Sequence, residues 1–291
     1  MAIIKKQPRR GVWFRLRLLP RAWIGIALVL VVIFAALAAP LITPIDPLTQ
    51  FRDGLSANGT PLPPDARFLL GTDHLGRDMF SRMLYGARIS LLISLTVNIS
   101  AALLGTAVGL VTGYYAGLLD NVLMRVTDIL LAFPAILLAL GFGAVLRPSI
   151  PTVITILVFI TWAPLARLVR AQVLSVRERP FVESARAIGC HDSYILVRQI
   201  LPQIITVVVV WGTLSFASTI LVESSLSFLG VGVPLPTASW GNMIAEGQTR
   251  YRIAPWTILA PTLGIIITTL GFNLLGDALR DALDPRTKYK V

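Results

Sequence analysis

Charge is scarce in this sequence. Of its 291 residues 14% are charged and 55% apolar, with a mean hydropathy of +0.75, whereas an ordinary soluble domain carries about 25% charged residues. That balance argues against a soluble globule. It also excludes a disordered chain, which stays unfolded through low hydrophobicity and high net charge. Cysteine is nearly missing: Cys190 stands alone, so no internal disulfide framework exists. Lysine occurs only at 5, 6, 288 and 290. A phosphate-cradling loop of the GxxxxGK[ST] type needs a lysine directly after its glycines, so the chain carries no ATPase site of that kind. Histidine occurs only at 74 and 191, which argues against HExxH zinc chemistry and against a Ser–His hydrolase within the bundle. Cys190 has His191 beside it, but neighbours on a helix point about 100° apart. The two read as solvated loop residues, and no catalytic residues are expected.

Long apolar runs are what the chain has instead. Six can be marked, at 23–43, 89–112, 129–146, 150–169, 204–222 and 256–275, each near the length of about 20 residues that crosses a hydrocarbon core as a helix. The third is the shortest and starts nearer Leu119 if extended backwards. The fold class expected is all-α, a polytopic bundle of six transmembrane helices. Ala36-Leu37-Ala38 has the form of a signal-peptidase site, but the run around it is longer than a signal-peptide core of about 7–15 residues. The net charge of +11 is distributed by position: with the N-terminus inside, inner segments hold 18 of the 26 basic residues, seven of them before the first run. Such clusters beside apolar spans follow the positive-inside rule and suit lipid headgroups better than nucleic acid. The layout expected is a cytoplasmic tail 1–22, a first span 23–43, an external loop 44–88, a core 89–279 with a cytoplasmic loop 171–202, and a cytoplasmic tail 280–291.

The inner loop is the most informative stretch. From Arg179 to Pro202 it reads RPFVESARAIGCHDSYILVRQILP. Pro180 suits a first helical turn. Phe181, Val182, Ala185 and Ile188 then fall on one apolar face at helical spacing, while Glu183 and Arg186 can pair at i,i+3. Gly189 is a natural helix stop and Asp192 can cap a second short helix. Such a helix either lies on lipid headgroups or is offered to a cytoplasmic partner.

Glu183-Ser184-Ala185, Gly189 and Ile200-Leu201-Pro202 resemble the EAA loop of ABC importer permeases, which runs EAA, three residues, G, nine residues, I-x-L-P. Ser184 replaces the second residue, and Gln199 stands where isoleucine is expected. Three further segments look like the second, "C" permease of dipeptide, oligopeptide, glutathione or nickel importers. They are LGTDHLGRD at 70–78 with the residues to Arg88, LSFLG at 226–230 with Trp240-Gly241, and FNLLGD at 272–277 through Asp284-Pro285. The matches are ordered along the chain from about 70 to 286. The resemblance implies a bacterial or archaeal cytoplasmic membrane and the type I importer fold. It implies ATPase coupling through Phe181, Glu183, Ser184, Ala185, Arg186, Ala187 and Gly189. The implied partners are a second permease, two ATPase subunits and an extracytoplasmic substrate-binding protein. ATP and Mg would sit on the ATPase subunits, and this chain would bind no cofactor itself.

Other residues carry alternatives. Residues 70–88 read either as an outer gate or as a packed loop ordering the second span, with Gly71 and Gly76 in tight turns, Thr72 and Asp73 as caps, and Met79, Met83 and Leu84 as a small apolar face. Asp73, His74 and Asp78 make only a weak metal pattern, and no metal site is expected. Gly105, Gly109 and Gly113 recur every four residues, a stripe that another helix can approach closely, in this chain or in a second permease. Ser215, Thr219 and Glu223 share one helical face with Trp211. They either line a water-filled path, where Glu223 meets a charged amine, or they bond back to their own helix while Glu223 reaches the interface. Asp128 can pair with Arg125. The rival class is a self-sufficient ion-driven carrier, which would be expected to hold several ionisable groups at mid-membrane.

Overall fold

The computed structural model describes residues 12–283. Lys5, Lys6, Arg9, Arg10, Asp284, Pro285 and the last basic residues of the C-terminal tail lie outside the described residues.

Among the described residues five helices are long and apolar enough to cross a bilayer. They are span 1 (Pro20–Leu37), span 2 (Met79–Tyr115), span 4 (Ile150–Arg177), span 5 (Asp192–Phe228) and span 6 (Trp256–Leu283). Span 3 is a broken pair, Gly117–Ala132 and Ala135–Val145, whose halves meet at 92°. The third run, expected at 129–146 or from nearer Leu119, therefore forms this bent pair. Pro134 lacks an amide hydrogen and drives the preceding residue out of the helical region, and Phe133 is extended at φ −95°, ψ 142°. The first apolar run also divides, because Pro40 starts a separate short helix, Ala39–Ile42. Span 2 begins before its apolar run: Asp78 caps it, accepting from Ser81 N at 2.7 Å, so residues 79–88 are helix rather than external loop.

Residues 178–192 and the two described chain ends lie at one end of the bundle, called here the basic end. There Arg21 pairs with Asp281, and Arg15 donates to the Ala282 carbonyl. The opposite end holds residues 43–78 and 229–255, including the short helix Trp240–Gly247.

Spans 2 and 4 form the tightest seam. A methyl group on Gly105 would stand 2.7 Å from the Trp162 carbonyl oxygen, one on Gly109 2.6 Å from that of Ala166, and one on Gly113 2.7 Å from Val173 Cβ. The helix that uses the glycine stripe therefore belongs to this chain. Lipid tails are as apolar as leucine, so dispersion contact at close range is what holds two such helices together. Leu165, Val169, Val173 and Tyr114 continue the seam into the main apolar core. Replacing Gly109 with valine is expected to force the spans apart and to cost about 1–3 kcal/mol, as overpacking does. Thermal unfolding of the detergent-solubilised protein reads this directly, and an unchanged midpoint would contradict the close approach.

Candidate functional site

At the basic end the loop after span 4 folds as the helix Pro180–Ala187. Pro180 occupies its first turn. Gly189 ends it at φ +78°, a left-handed conformation that suits glycine. Gly189 N donates to the Arg186 carbonyl and Cys190 N to that of Ala185, both at 3.0 Å. This is a Schellman closure, which satisfies the last carbonyls and turns the chain back sharply. Val182 and Ala185 are buried against Val173, Val176, Ile195 and Ile200.

The expected single apolar face is divided. Phe181 is 36% and Ile188 80% exposed, on the open side of the helix with Glu183, Ser184 and Ala187; Arg186 is exposed too, but its guanidinium turns back toward span 2. A helix of eight residues with two inward side chains leaves most of its circumference free. The helix thus offers a mixed apolar and charged surface beyond the bundle.

Three local expectations change. Arg186 does not pair with Glu183; its guanidinium lies 4.9 Å over the Tyr114 ring, and Nε reaches Tyr114 Oη at 3.4 Å. His191, not Asp192, caps the following helix, with Nδ1 accepting from Ser193 N at 3.4 Å. Asp192 instead accepts from the Tyr114 hydroxyl at 2.6 Å. Likewise Asp128 pairs with Arg167 across spans 3 and 4 rather than with Arg125, and Arg170 holds buried Asp120 by two hydrogen bonds of 2.5 and 2.6 Å.

Within the bundle Ser215 and Thr219 line a cleft of about 410 Å³, with Trp211, Ser218, Thr161 and Pro164. Thr219 also accepts from Asn98 Nδ2 on span 2 at 3.0 Å. Both hold the expected face: the Thr219 hydroxyl bonds back to the Ser215 carbonyl at 2.9 Å while still bordering the cleft. Glu223 lies one turn beyond. It is fully buried, accepting from Ser227 at 2.9 Å and Ser90 at 3.2 Å, with Ser224 at 3.4 Å. It therefore does not reach the interface. Ser227 and Ser90 accept in turn from the backbone amides of Val233 and Trp240, so this carboxylate joins spans 2 and 5 to the segment 231–240.

At the opposite end four charges interlock, three of them buried and Glu246 partly so. Arg77 Nε meets Asp73 at 2.5 Å and its Nη2 meets Glu246 at 2.9 Å; Arg82 Nη2 meets Glu246 at 2.6 Å and its Nε meets Asp73 at 3.4 Å. Asp73 also accepts from the Leu75 and Arg77 amides. Thr72 and Asp73 therefore do not cap span 2; the cap is Asp78, whose carboxyl burial pushes up from its ordinary pKa against the amides of Ser81 and Phe80. The trio Asp73, His74 and Asp78 is consequently not assembled. Asp73, His74 and Glu246 do bring one ligand atom each within 4.8 Å of one another, but both carboxylates are already held by arginines. Met79 and Leu84 are buried, as the apolar face of 79–84 required.

The model of the binding-protein-dependent transport system inner membrane component matches residues 105–289, and that of the N-terminal transmembrane domain of oligopeptide transport permease C matches residues 7–64. The chain belongs to this family of transport permeases. A putative peptide transport system permease protein of Brucella suis is 44% identical over 92% of this chain and 88% of its own length. The di/tripeptide transport system permease protein of Pseudomonas aeruginosa is 39% identical over 91% and 88%, and the glutathione transport system permease protein of Escherichia coli 41% identical over 97% and 92%. The permease fold also matches a chain of the inward-facing MetNI methionine ABC transporter, with a TM-score of 0.56 at 18% identity, over 70% of this chain and 97% of that one. The permease is accordingly a transport subunit of the inner membrane and not the ATPase. Sequence reasoning missed Tyr114 and Glu246, whose partners lie far away along the chain, and the role of Arg77, which joins nearby Asp73 to distant Glu246.

Two outcomes follow from the interlocked charges. Glu246→Gln leaves Arg77 and Arg82 with Asp73 as their one remaining shared carboxylate, and breaking a buried pair in this way costs about 3–5 kcal/mol. Chemical denaturation of the permease measures it. His74 is half-buried beside the same groups, and burial, the largest effect, holds its pKa below the ordinary value of 6.5. The unfolded chain then takes up a proton first, so stability is complete above about pH 6.5 and falls as the pH drops below it. His74→Gln should remove that part of the pH dependence of the thermal midpoint; an unchanged profile would exclude it.

Proposed function

We propose that this permease forms half of the translocation path of an ABC importer for di- or oligopeptides, glutathione or a related small solute. A second permease of similar fold supplies the other half, two ATPase subunits bind below, and an extracytoplasmic binding protein delivers the solute. Both chain ends and the loop 171–202 face the cytoplasm, in keeping with the positive-inside distribution of arginine and lysine. The observation that carries the reading is the helix Pro180–Ala187 at the basic end, inset by Val182 and Ala185 and presenting Phe181 and Ile188 outward.

In this reading the helix is the coupling contact. Phe181, Glu183, Ser184, Ala185, Arg186, Ala187 and Gly189 make up the element that meets an ATPase subunit, and Gly189 sets the turn after it. ATP binding, with Mg on the partner subunits, closes the ATPase pair and moves this helix, and the bundle alternates between outward- and inward-open states. The cleft walled by Ser215 and Thr219 is the candidate path, and Glu223 supports its wall from the buried side. The similarity to peptide and glutathione permeases along nearly their whole length supports the solute class.

Gentle extraction of the tagged permease from its native membrane tests the assembly. A second multi-span chain and P-loop ATPases should accompany it; a chain that emerges alone and moves solute without ATP would be a carrier instead. Gly189→Arg tests the coupling element. A side chain there meets nothing within 4 Å, and although a residue other than glycine strains the turn at φ +78°, the spans are untouched, so the variant should stay in the membrane. Its uptake of labelled dipeptides and glutathione should fall by roughly tenfold or more, the effect of losing about 1.4 kcal/mol of docking energy, while ATP hydrolysis continues. Normal uptake would sink the docking idea.

A further inference from the structure

Tyr114 stands one residue before the end of span 2, and its phenol is a junction. The hydroxyl donates to Asp192 at 2.6 Å, and Arg186 lies over the ring at 4.9 Å with Nε 3.4 Å from Oη. Arg186 belongs to the helix Pro180–Ala187 and Asp192 to the first turn of span 5. One side chain of span 2 is therefore bonded to both arms of the loop. The ring is 7% exposed and packs in the same core as Val182 and Ala185. One residue earlier the Gly113 carbonyl accepts from Arg177 Nη1 at 3.0 Å, tying the end of span 4 to the same place.

The loop has two covalent routes into the bundle, and each contains a feature that weakens a helix against bending. Span 4 carries Pro164 inside it. Span 5 opens with a π-helical turn at Ile195–Ile200 followed by Pro202. Such features are where helices bend. Span 2 has 37 residues, no proline and no break, and at 1.5 Å per residue it is a rod of about 55 Å. Its far end carries Arg82, fully buried and bonded to Asp73 and Glu246. Span 2 is thus fastened at one end to the loop and at the other to the interlocked charges.

We infer that Tyr114 is a positioning residue that fastens the coupling helix to span 2, and that span 2 carries the displacement of that helix to the Asp73–Arg77–Arg82–Glu246 cluster at the outer end. The inference rests on the coupling role of the helix Pro180–Ala187. It adds a non-covalent route that bypasses the proline of span 4 and the π-helical turn of span 5.

The test uses the intact transporter with Cys190→Ser and Leu75→Cys in this chain. Leu75 is 38% exposed in the turn between Asp73 and Arg77, and an environment-sensitive maleimide fluorophore there reports on the outer cluster. The same complex without Leu75→Cys is the blank. Mg-ATP should shift the emission of the parent. Tyr114→Phe keeps the buried ring and removes the hydroxyl, and Asp192→Asn weakens the same bond from the other side. Each should cut the ATP-driven shift by roughly threefold or more, as expected when one hydrogen bond to a carboxylate no longer holds two elements in register, with the thermal midpoint lowered by only a few degrees. Gly189→Arg should abolish the shift. A full shift in both Tyr114→Phe and Asp192→Asn, with Gly189→Arg silent, overturns the role of Tyr114 and leaves the coupling helix standing. A full shift in all three removes the coupling reading itself, and no shift in the parent overturns transmission to the outer cluster.

Discussion

Along the seam between spans 2 and 4 there is no room for a methyl group. The carbonyls of Trp162 and Ala166 and the side chain of Val173 lie where a Cβ on Gly105, Gly109 or Gly113 would stand. In lipid, helices gain nothing from hiding apolar surface, so contact at this range replaces the hydrophobic effect as the source of cohesion. The seam also sets geometry. It brings Arg177, the last residue of span 4, to the Gly113 carbonyl, so the loop that follows emerges beside Tyr114. Span 5 then closes on span 2 through polar contacts, Asn98 to Thr219 and Ser90 to Glu223.

Each of those polar contacts answers a cost. A carboxylate or amide left unpaired within the bundle is expensive, and the surroundings of Glu223 satisfy it with hydroxyls that themselves accept from backbone amides. The buried arginines at the opposite end are treated differently, with two carboxylates shared between two guanidinium groups. Buried ion pairs of this kind return little net stability for their desolvation, yet losing one partner is severe. What the cluster supplies is registry, since Asp73, Arg82 and Glu246 come from three separate segments and meet in one arrangement.

Most of the fold was legible because the bilayer imposes a simple code: an apolar run of span length is a helix. The code failed where charge interrupts helix. Residues 79–88 contain Arg82 and Arg88 and read as loop, because the carboxylate that neutralises Arg82 lies 164 residues away at Glu246. Pro134 was visible, but the 92° between its flanking helices depends on what the second half packs against. In the loop after span 4, proline and glycine marked both ends of the helix correctly. Its apolar face was misjudged, since helical spacing alone does not say that Val182 and Ala185 face inward while Ile188 does not. Tyr114 was invisible for the same reason as Glu246: its meaning lies in partners at 186 and 192, and local pattern is silent about them.

The two ends of the bundle therefore differ in kind, and the difference suits what each has to do. At the end opposite the basic end the contacts are ionic and largely buried, so opening them exposes unpaired charge and is costly. At the basic end the helix Pro180–Ala187 holds on by two small apolar side chains and leaves Phe181 and Ile188 uncovered. Apolar contacts form and part without a desolvated charge, which suits a surface that a partner grips and moves repeatedly. A grip of that sort does work only if the gripped helix cannot swivel freely on its own chain. The Schellman turn fixes its C-terminal end, and the Tyr114 junction fixes its side to a helix that runs unbroken to the Asp73–Arg77–Arg82–Glu246 cluster. A chain without a nucleotide site of its own thus has, at the place where force would enter, a short element that is exposed on one face and bolted on the other.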